Sequence, residues 1–337
     1  MSTVLLTGGA GFIGSNLIRL LRRERPEWTL VNLDKLTYAG NAESLKDLRD
    51  DPKHVFVRGD IANAELVEHL IRNHGIDCVL NLAAESHVDR SILGPGIFVE
   101  TNVSGTQVLL DAARKGGVKR FVQISTDEVY GSLGPTGKFT ETSPLQPSSP
   151  YSASKTAADL LVLAYGHTFG MDVVVTRCSN NYGPFQFPEK LIPLMIANAL
   201  EGKKLPVYGD GMQIRDWIHV EDHNRAVLAA LEGGKAGEVY NFGSDNEWAN
   251  IQIVHRLLEI LGKGKDSIEH VKDRPGHDRR YAIDAAKART QLGWAPRIPF
   301  SEGLAQTVDW YVKNRGWWER VRTGEYRSYY ERNYGAR

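Results

Sequence analysis

The stretch Ser125-Thr126-Asp127-Glu128-Val129-Tyr130-Gly131 sets a hydroxyl pair and two adjacent carboxylates directly after an apolar run, Phe121–Ile124. Further on, Tyr151-Ser152-Ala153-Ser154-Lys155 places a phenol and an ammonium at i and i+4. On a helix those positions share a face, and Ser148 or Ser149 before Pro150 reads as a helix start. A lysine beside a tyrosine favours the phenolate, as does a helix N-terminus. The spacing therefore predicts a tyrosine whose pKa falls from about 10 towards neutrality, as a general base requires. An exposed aromatic–lysine pair is the plainer alternative. Two carboxylates in a partly dry cleft divide their pKa values, one protonated and one ionised. A β-elimination needs such a pair, a base to take a proton and an acid to protonate the leaving hydroxyl. Neighbours on a regular strand face opposite ways, so the backbone must turn irregular after Thr126 if both are to meet one substrate. A helix cap or a surface acid pair is the alternative there.

Several elements must position these groups. Val4–Thr7 is a short strand pattern, followed by Gly8-Gly9-Ala10-Gly11-Phe12-Ile13-Gly14 and an amphipathic helix through Leu17, Leu20 and Leu21. Gly9, Gly11 and Gly14 satisfy G-x-G-x-x-G, and Gly8, Gly11 and Gly14 its variant G-x-x-G-x-x-G. Such glycines permit a tight turn, close approach to a pyrophosphate and packing of helix on strand. A second strand, Thr29–Leu33, ends in Asp34, placed to accept hydrogen bonds from an adenosine ribose, which favours NAD over NADP. Strand patterns at His54–Val57, Cys78–Leu82, Phe121–Ile124 and Asp172–Thr176 alternate with helical ones at Ala64–His74, Phe98–Ala113 and Tyr151–Thr168. That rhythm predicts an α/β fold, a Rossmann-like doubly wound parallel sheet. Asp34, Asp60, Ala83, Thr126 and Asn180 fall at carboxyl ends of strands, where such sheets bind ligands. From Gly183 prolines and glycines crowd the chain and helices at 191–200, 220–232, 251–261 and 302–314 alternate with short loops. The expected division is 1–182 for the dinucleotide domain and 183–337 for a smaller mixed α/β substrate lobe, with some exchange of chain between them.

The bulk numbers narrow the class. A chain of 337 residues, 42% hydrophobic and 24% charged with zero formal net charge, is that of an ordinary globular protein and lacks the basic excess of a nucleic-acid or membrane-surface binder. Cys78 and Cys178 have no metal-type neighbours and read as reduced thiols. With no leader pattern and no run long enough to span a bilayer, the expectation is a cytoplasmic protein without a metal.

Together the glycines, Asp34 and Tyr151-x-x-x-Lys155 resemble the extended short-chain dehydrogenase/reductase family. More narrowly, the strings Thr126–Gly131, Ala84–Ser91, Asp34–Asn41, Cys178–Pro184, Phe187–Pro193, Leu205–Gly209, Ile214–Trp217 and Asp273–Asp278 resemble the dTDP-glucose 4,6-dehydratases. The resemblance runs from about Val4 to Trp310, departs around Glu247–Asn250, and does not reach the tail after Trp318. It implies that Thr126, Asp127, Glu128, Tyr151 and Lys155 are catalytic. It implies that NAD is held by Gly8, Gly11, Phe12, Ile13 and Gly14, by Asp34, Lys35, Leu36 and Thr37, by Asp60 and Ile61, by Leu82, Ala83, Ala84 and Ser86, and by Thr101, Ser125 and Asn181 with Tyr151 and Lys155. It implies sugar and nucleotide contacts from Ser86, His87, Thr126, Asn180, Glu189, Lys190 and Leu191, from Pro206, Val207, Tyr208 and Arg215, and from Asn250, Arg274 and His277. His87 is also readable as a structural histidine. A homodimer through the Phe98–Ala113 and Tyr151–Thr168 helices is implied as well. A nucleotide-sugar 4-epimerase, a UDP-glucuronate decarboxylase or a UDP-sugar 4,6-dehydratase would share the fold and the Tyr/Lys pair. An epimerase has no use for two adjacent acids. A non-catalytic NAD-binding regulatory module is the rival from another class.

Overall fold

The computed structural model describes residues 2–273 and 276–322. Twelve strands run in chain order. Six are β1 (Thr3–Thr7), β2 (Thr29–Asp34), β3 (His54–Arg58), β4 (Cys78–Asn81), β5 (Arg120–Thr126) and β6 (Val173–Cys178). The others are β7 (Asn180–Tyr182), β8 (Leu205–Tyr208), β9 (Ile214–His219), β10 (Val239–Phe242), β11 (Glu247–Ala249) and β12 (Ile268–Val271). The helices are α1 (Phe12–Glu24), α2 (Ala64–His74), α3 (Val88–Leu93), α4 (Gly96–Phe98), α5 (Thr106–Lys115) and α6 (Pro150–Phe169). They continue with α7 (Leu191–Leu200), α8 (Val220–Gly233), α9 (Asn250–Leu261), α10 (Ala286–Leu292), α11 (Phe300–Lys313) and α12 (Arg315–Val321).

Seven strands form one sheet in the order β10-β6-β5-β4-β1-β2-β3, and every neighbouring pair is parallel. Strands buried on both faces read as unbroken apolar runs such as Val173-Val174-Val175, because helices cover both sides. On one face Leu17 and Leu20 of α1 join Ala226 and Leu231 of α8. On the other, Val67, Leu109, Leu110 and Val162 come from α2, α5 and α6. Strand order reverses between β1 and β4, which opens the crevice where a parallel sheet takes its ligand.

The chain after Gly183 serves both parts of the molecule. Strand β10 pairs with β6 in register Tyr240↔Thr176, and Tyr240 and Phe242 are buried in the same core as α1. The rest joins β7 in a small sheet β11-β9-β7 and forms the pair β12-β8, with a core of Trp217, Ile253, Leu257, Tyr311 and Trp318.

One helix departs from its pattern. The continuous helix expected over Phe98–Ala113 is instead α4, a wide π-helical stretch at Val99–Gly105, and α5. The wider turn carries buried Asn102, whose side chain accepts from Glu85 N at 2.9 Å and donates to Glu85 O at 3.0 Å and Ser154 Oγ at 2.9 Å. Its amide thus satisfies a loop that has no strand partner, a need that hydrophobic periodicity does not signal.

Phe242→Ala removes a fully buried ring from the returning strand. It is expected to cost about 3–5 kcal/mol, read from the shift in a urea unfolding midpoint.

Candidate active site

Strand β5 ends at Thr126, and Asp127–Tyr130 form a single 3₁₀ turn. Thr126 caps it, its hydroxyl accepting Glu128 N at 3.3 Å. Gly131 then reverses the chain at φ 85°, where a Cβ would stand 2.2 Å from Gln146 O. The irregular backbone expected after Thr126 is this turn, and through it Asp127 and Glu128 both line one cleft. Asp127 is buried. Its pKa is pushed well above the carboxylate range by burial first, then by the charges of Glu128 and Asp216, with Arg215 and the Thr126 hydroxyl opposing. Its Oδ2 has no hydrogen-bond partner among the described residues. Burial thus favours the protonated form of Asp127, the form that donates a proton, and leaves Oδ2 to spare.

Helix α6 opens with a full capping box. Ser149 Oγ accepts Ser152 N at 3.1 Å, Ser149 N donates to Ser152 Oγ at 3.0 Å, and Pro150 follows the cap. This start brings Tyr151 and Lys155 to the cleft beside Thr126. Here the sequence expectation fails. Lys155 Nζ donates to Ile124 O at 2.7 Å and does not lower the Tyr151 pKa. Burial and then the Glu128 charge hold the phenol well above its ordinary value, and the Thr126 hydroxyl opposes them. Burial also lowers the Lys155 pKa. Sharing a helix face is not the same as pairing, because a buried ammonium takes the carbonyl nearest to it.

At the other end of the cleft the glycine turn fits a dinucleotide. Gly8 has φ 72°, and a Cβ on it would lie 2.8 Å from Ala83 N; one on Gly14 would lie 2.3 Å from Gly8 O. Backbone therefore approaches backbone where a pyrophosphate needs room above the start of α1. Asp34 accepts from Ala10 N and Leu36 N, both at 2.8 Å, and Lys35 pairs with Asp60 at 2.6 Å. Of the residues expected to hold the cofactor, all line this cleft except Leu36. Leu36 sits at φ 56° and packs against the core, contributing only its amide to Asp34.

The residues expected to hold substrate divide. Ser86, Thr126, Asn180, Glu189 and Lys190 line the same cleft, and Lys190 Nζ donates to Ser86 O at 3.0 Å. His87, Leu191, Pro206, Val207, Tyr208, Arg215, Asn250 and His277 do not line it, and Arg274 lies outside the described residues. His87 caps α3 with Nε2 3.9 Å from Glu189 Oε1. Tyr208, at the end of β8, donates to Asp89 Oδ2 at 3.1 Å and meets His277 edge-on at 6.1 Å. Arg215 donates to Asp278 O at 2.9 Å, with its guanidinium 4.2 Å from the Tyr281 ring centroid. Tyr208, Arg215 and His277 thus meet at residues 276–281, and the Arg215 charge reaches Asp127. Tyr281 was not singled out in the sequence. Burial and then the Glu128 charge raise its pKa, so it stands near Glu128; its signal was its place three residues beyond the Asp273–Asp278 string. Glu85, Cys178, Ser179, Gln186 and Phe187 also line the cleft unforeseen.

The sequence profile of the GDP-mannose 4,6 dehydratase family matches residues 5–307. A dTDP-glucose 4,6-dehydratase of Xanthomonas campestris pv. campestris is 53% identical over 345 residues, covering 97% of this chain and 98% of its own. The crystal structure of a Streptomyces venezuelae dTDP-glucose 4,6-dehydratase with NAD bound superposes with TM-score 0.92 at 50% identity, covering 95% of this chain and 99% of that one. The chain belongs to the dTDP-glucose 4,6-dehydratases, within the extended short-chain dehydrogenase/reductase family. A UDP-glucose 4-epimerase of Thermotoga maritima shares the fold at TM-score 0.87 but only 32% identity, over 93% of this chain and 99% of that one. The dehydratase members of the family are thus the nearer kin.

Buried Glu189 offers a check on this description of the cleft. Burial raises its pKa to about 7, against the lowering charges of Lys190 and Arg90. The unfolded chain ionises it near pH 4.3, so its contribution to stability is full below that pH and is lost as pH rises towards about 7. Relative to Glu189→Gln, the wild-type urea midpoint should fall across that window; a difference that stays constant with pH would contradict the assignment.

Proposed function

We propose that this chain converts dTDP-glucose to dTDP-4-keto-6-deoxyglucose, in the cytoplasm, as a homodimer with bound NAD. The observation that carries the reading is the neutral, buried Asp127 next to Glu128 on one turn, facing the cleft that holds Tyr151 and Lys155. Thr126 and Tyr151 take the 4-hydroxyl, the tyrosine accepting its proton. Gly8 to Gly14, Asp34 and Lys155 would hold NAD in this cleft, where it would supply the acceptor for the C4 hydride, the donor to C6 and a positive charge favouring the phenolate. The 4-ketone acidifies the C5 proton, and Glu128 removes it. Asp127 protonates the 6-hydroxyl, water leaves, and Glu128 reprotonates C5. Asn180 and Lys190 are the polar groups at the sugar and diphosphate end, with Arg215 and His277 on the nucleotide side. A dry cleft protects the enone from addition of water. Segment 1–182 carries the redox half and most of 183–337 the nucleotide sugar.

Incubation with dTDP-glucose in deuterated water, without added NAD, should give the 4-keto-6-deoxy product with deuterium at C5. A galactose product, or no turnover even with NAD present, would sink the reading. Glu128→Gln should still oxidise C4, seen as trapped NADH, while water loss slows by about 10²–10⁴-fold. Undiminished product formation would remove Glu128 as the base.

The dimer is supported by exposed apolar side chains on both helices. Val99, Leu160 and Phe169 are 54%, 54% and 49% exposed, and they lie on the helices expected to pair. Two free thiols and the absence of any helix long and apolar enough to cross a membrane, among the described residues, accord with a cytoplasmic place. Leu160→Asp should convert the dimer to a monomer by light scattering; a wild type already monomeric at micromolar concentration would refute the proposal.

A further inference from the structure

Arg177 and Asp159 form an ion pair deep inside the protein. Nε and Oδ2 lie 2.9 Å apart, and the side chains are 3% and 0% exposed. Arg177 belongs to β6. Asp159 lies on α6 at the next i+4 step after Tyr151 and Lys155, so all three share one stripe of the helix. Arg177 Nη1 also donates to Tyr130 Oη at 3.0 Å. Tyr130 in turn donates to Asn241 Oδ1 of β10 at 2.8 Å, and its ring stacks on Phe139 at 5.1 Å. None of Asp159, Arg177, Tyr130 and Asn241 lines the cleft.

A buried charge pair is a poor stabiliser compared with an apolar pair of the same volume. Its directional bonds can fix relative position, and the geometry here gives them something to fix. Tyr130 is the last residue of the turn that carries both acids. Elsewhere in the turn Glu128 N donates to Thr126 Oγ1 at 3.3 Å and Gln146 N donates to Val129 O at 3.1 Å. Tyr130 ties the turn by its side chain to β6 and β10, and Arg177 links it through Asp159 to the Tyr151/Lys155 helix.

We propose that Asp159, Arg177 and Tyr130 are positioning residues for the elimination half of the reaction. Their network holds the acid turn in register with α6, so that C5 and C6 of a sugar oxidised at C4 meet Glu128 and Asp127. This rests on the dehydratase reading above.

Tyr130→Phe keeps the stacked ring and removes the hydroxyl. At saturating dTDP-glucose its kcat should fall by about 10- to 100-fold, with KM unchanged. Reduced nicotinamide should accumulate in the steady state, and C5 solvent exchange should fall in step with turnover. A purely structural role would not shift that balance between oxidation and water loss. The double variant R177M/D159L removes the network while leaving no unpaired charge, and should show the same accumulation; it decides alone if Tyr130→Phe does not fold. Either variant, folded and showing the wild-type proportion of reduced cofactor, overturns the proposal. If the wild type makes no keto-deoxy product, the dehydratase reading fails instead, and the two failures are distinct.

Discussion

Adjacent side chains on a strand face away from one another, so Asp127 and Glu128 can line one cleft only because β5 stops being a strand at Thr126. The site depends on that stop. Thr126 caps the turn that follows, Gly131 leaves it through a conformation that other residues rarely adopt, and Tyr130 pins it to the sheet. The same stop gives the acids their different environments. Asp127 is sealed among protein atoms and held neutral, while Glu128 is half-buried at the cleft.

Burial governs the electrostatics throughout. It raises Asp127 and Tyr151 and lowers Lys155, each away from its charged form. The cleft thus carries less charge of its own than its residue types suggest. A nucleotide diphosphate sugar and NAD both bring charge with them, and they enter a place where each charge acts through little screening. Burial that favours a protonated acid and bound charge that favours a phenolate are thus compatible in one cleft.

Much of this was legible in residue order. Gly8 to Gly14 followed by Asp34 located one end of the cleft because the turn is local and its steric demands act on named positions. The helix start at Ser149-Pro150 was legible for the same reason. What escaped depends on partners distant in the chain. Lys155 takes the Ile124 carbonyl rather than the Tyr151 phenolate, a choice made by β5. The π-helical stretch around Asn102 answers the needs of the Glu85 loop. Tyr281 and Arg215 reach the acids only through the fold of the second sheet. Leu36 stood inside a matching string, yet its side chain faces the core.

The seventh strand has a further consequence. Strand β10 covers β6, whose run Val173–Cys178 is buried throughout. A chain cut at Tyr182 would leave that strand as a bare apolar edge, a template for pairing with other chains. The two halves of the molecule are therefore not separable modules. Neither could be exchanged, duplicated or expressed alone without exposing this edge, so the part that carries the small sheets has to remain joined to the seven-stranded sheet.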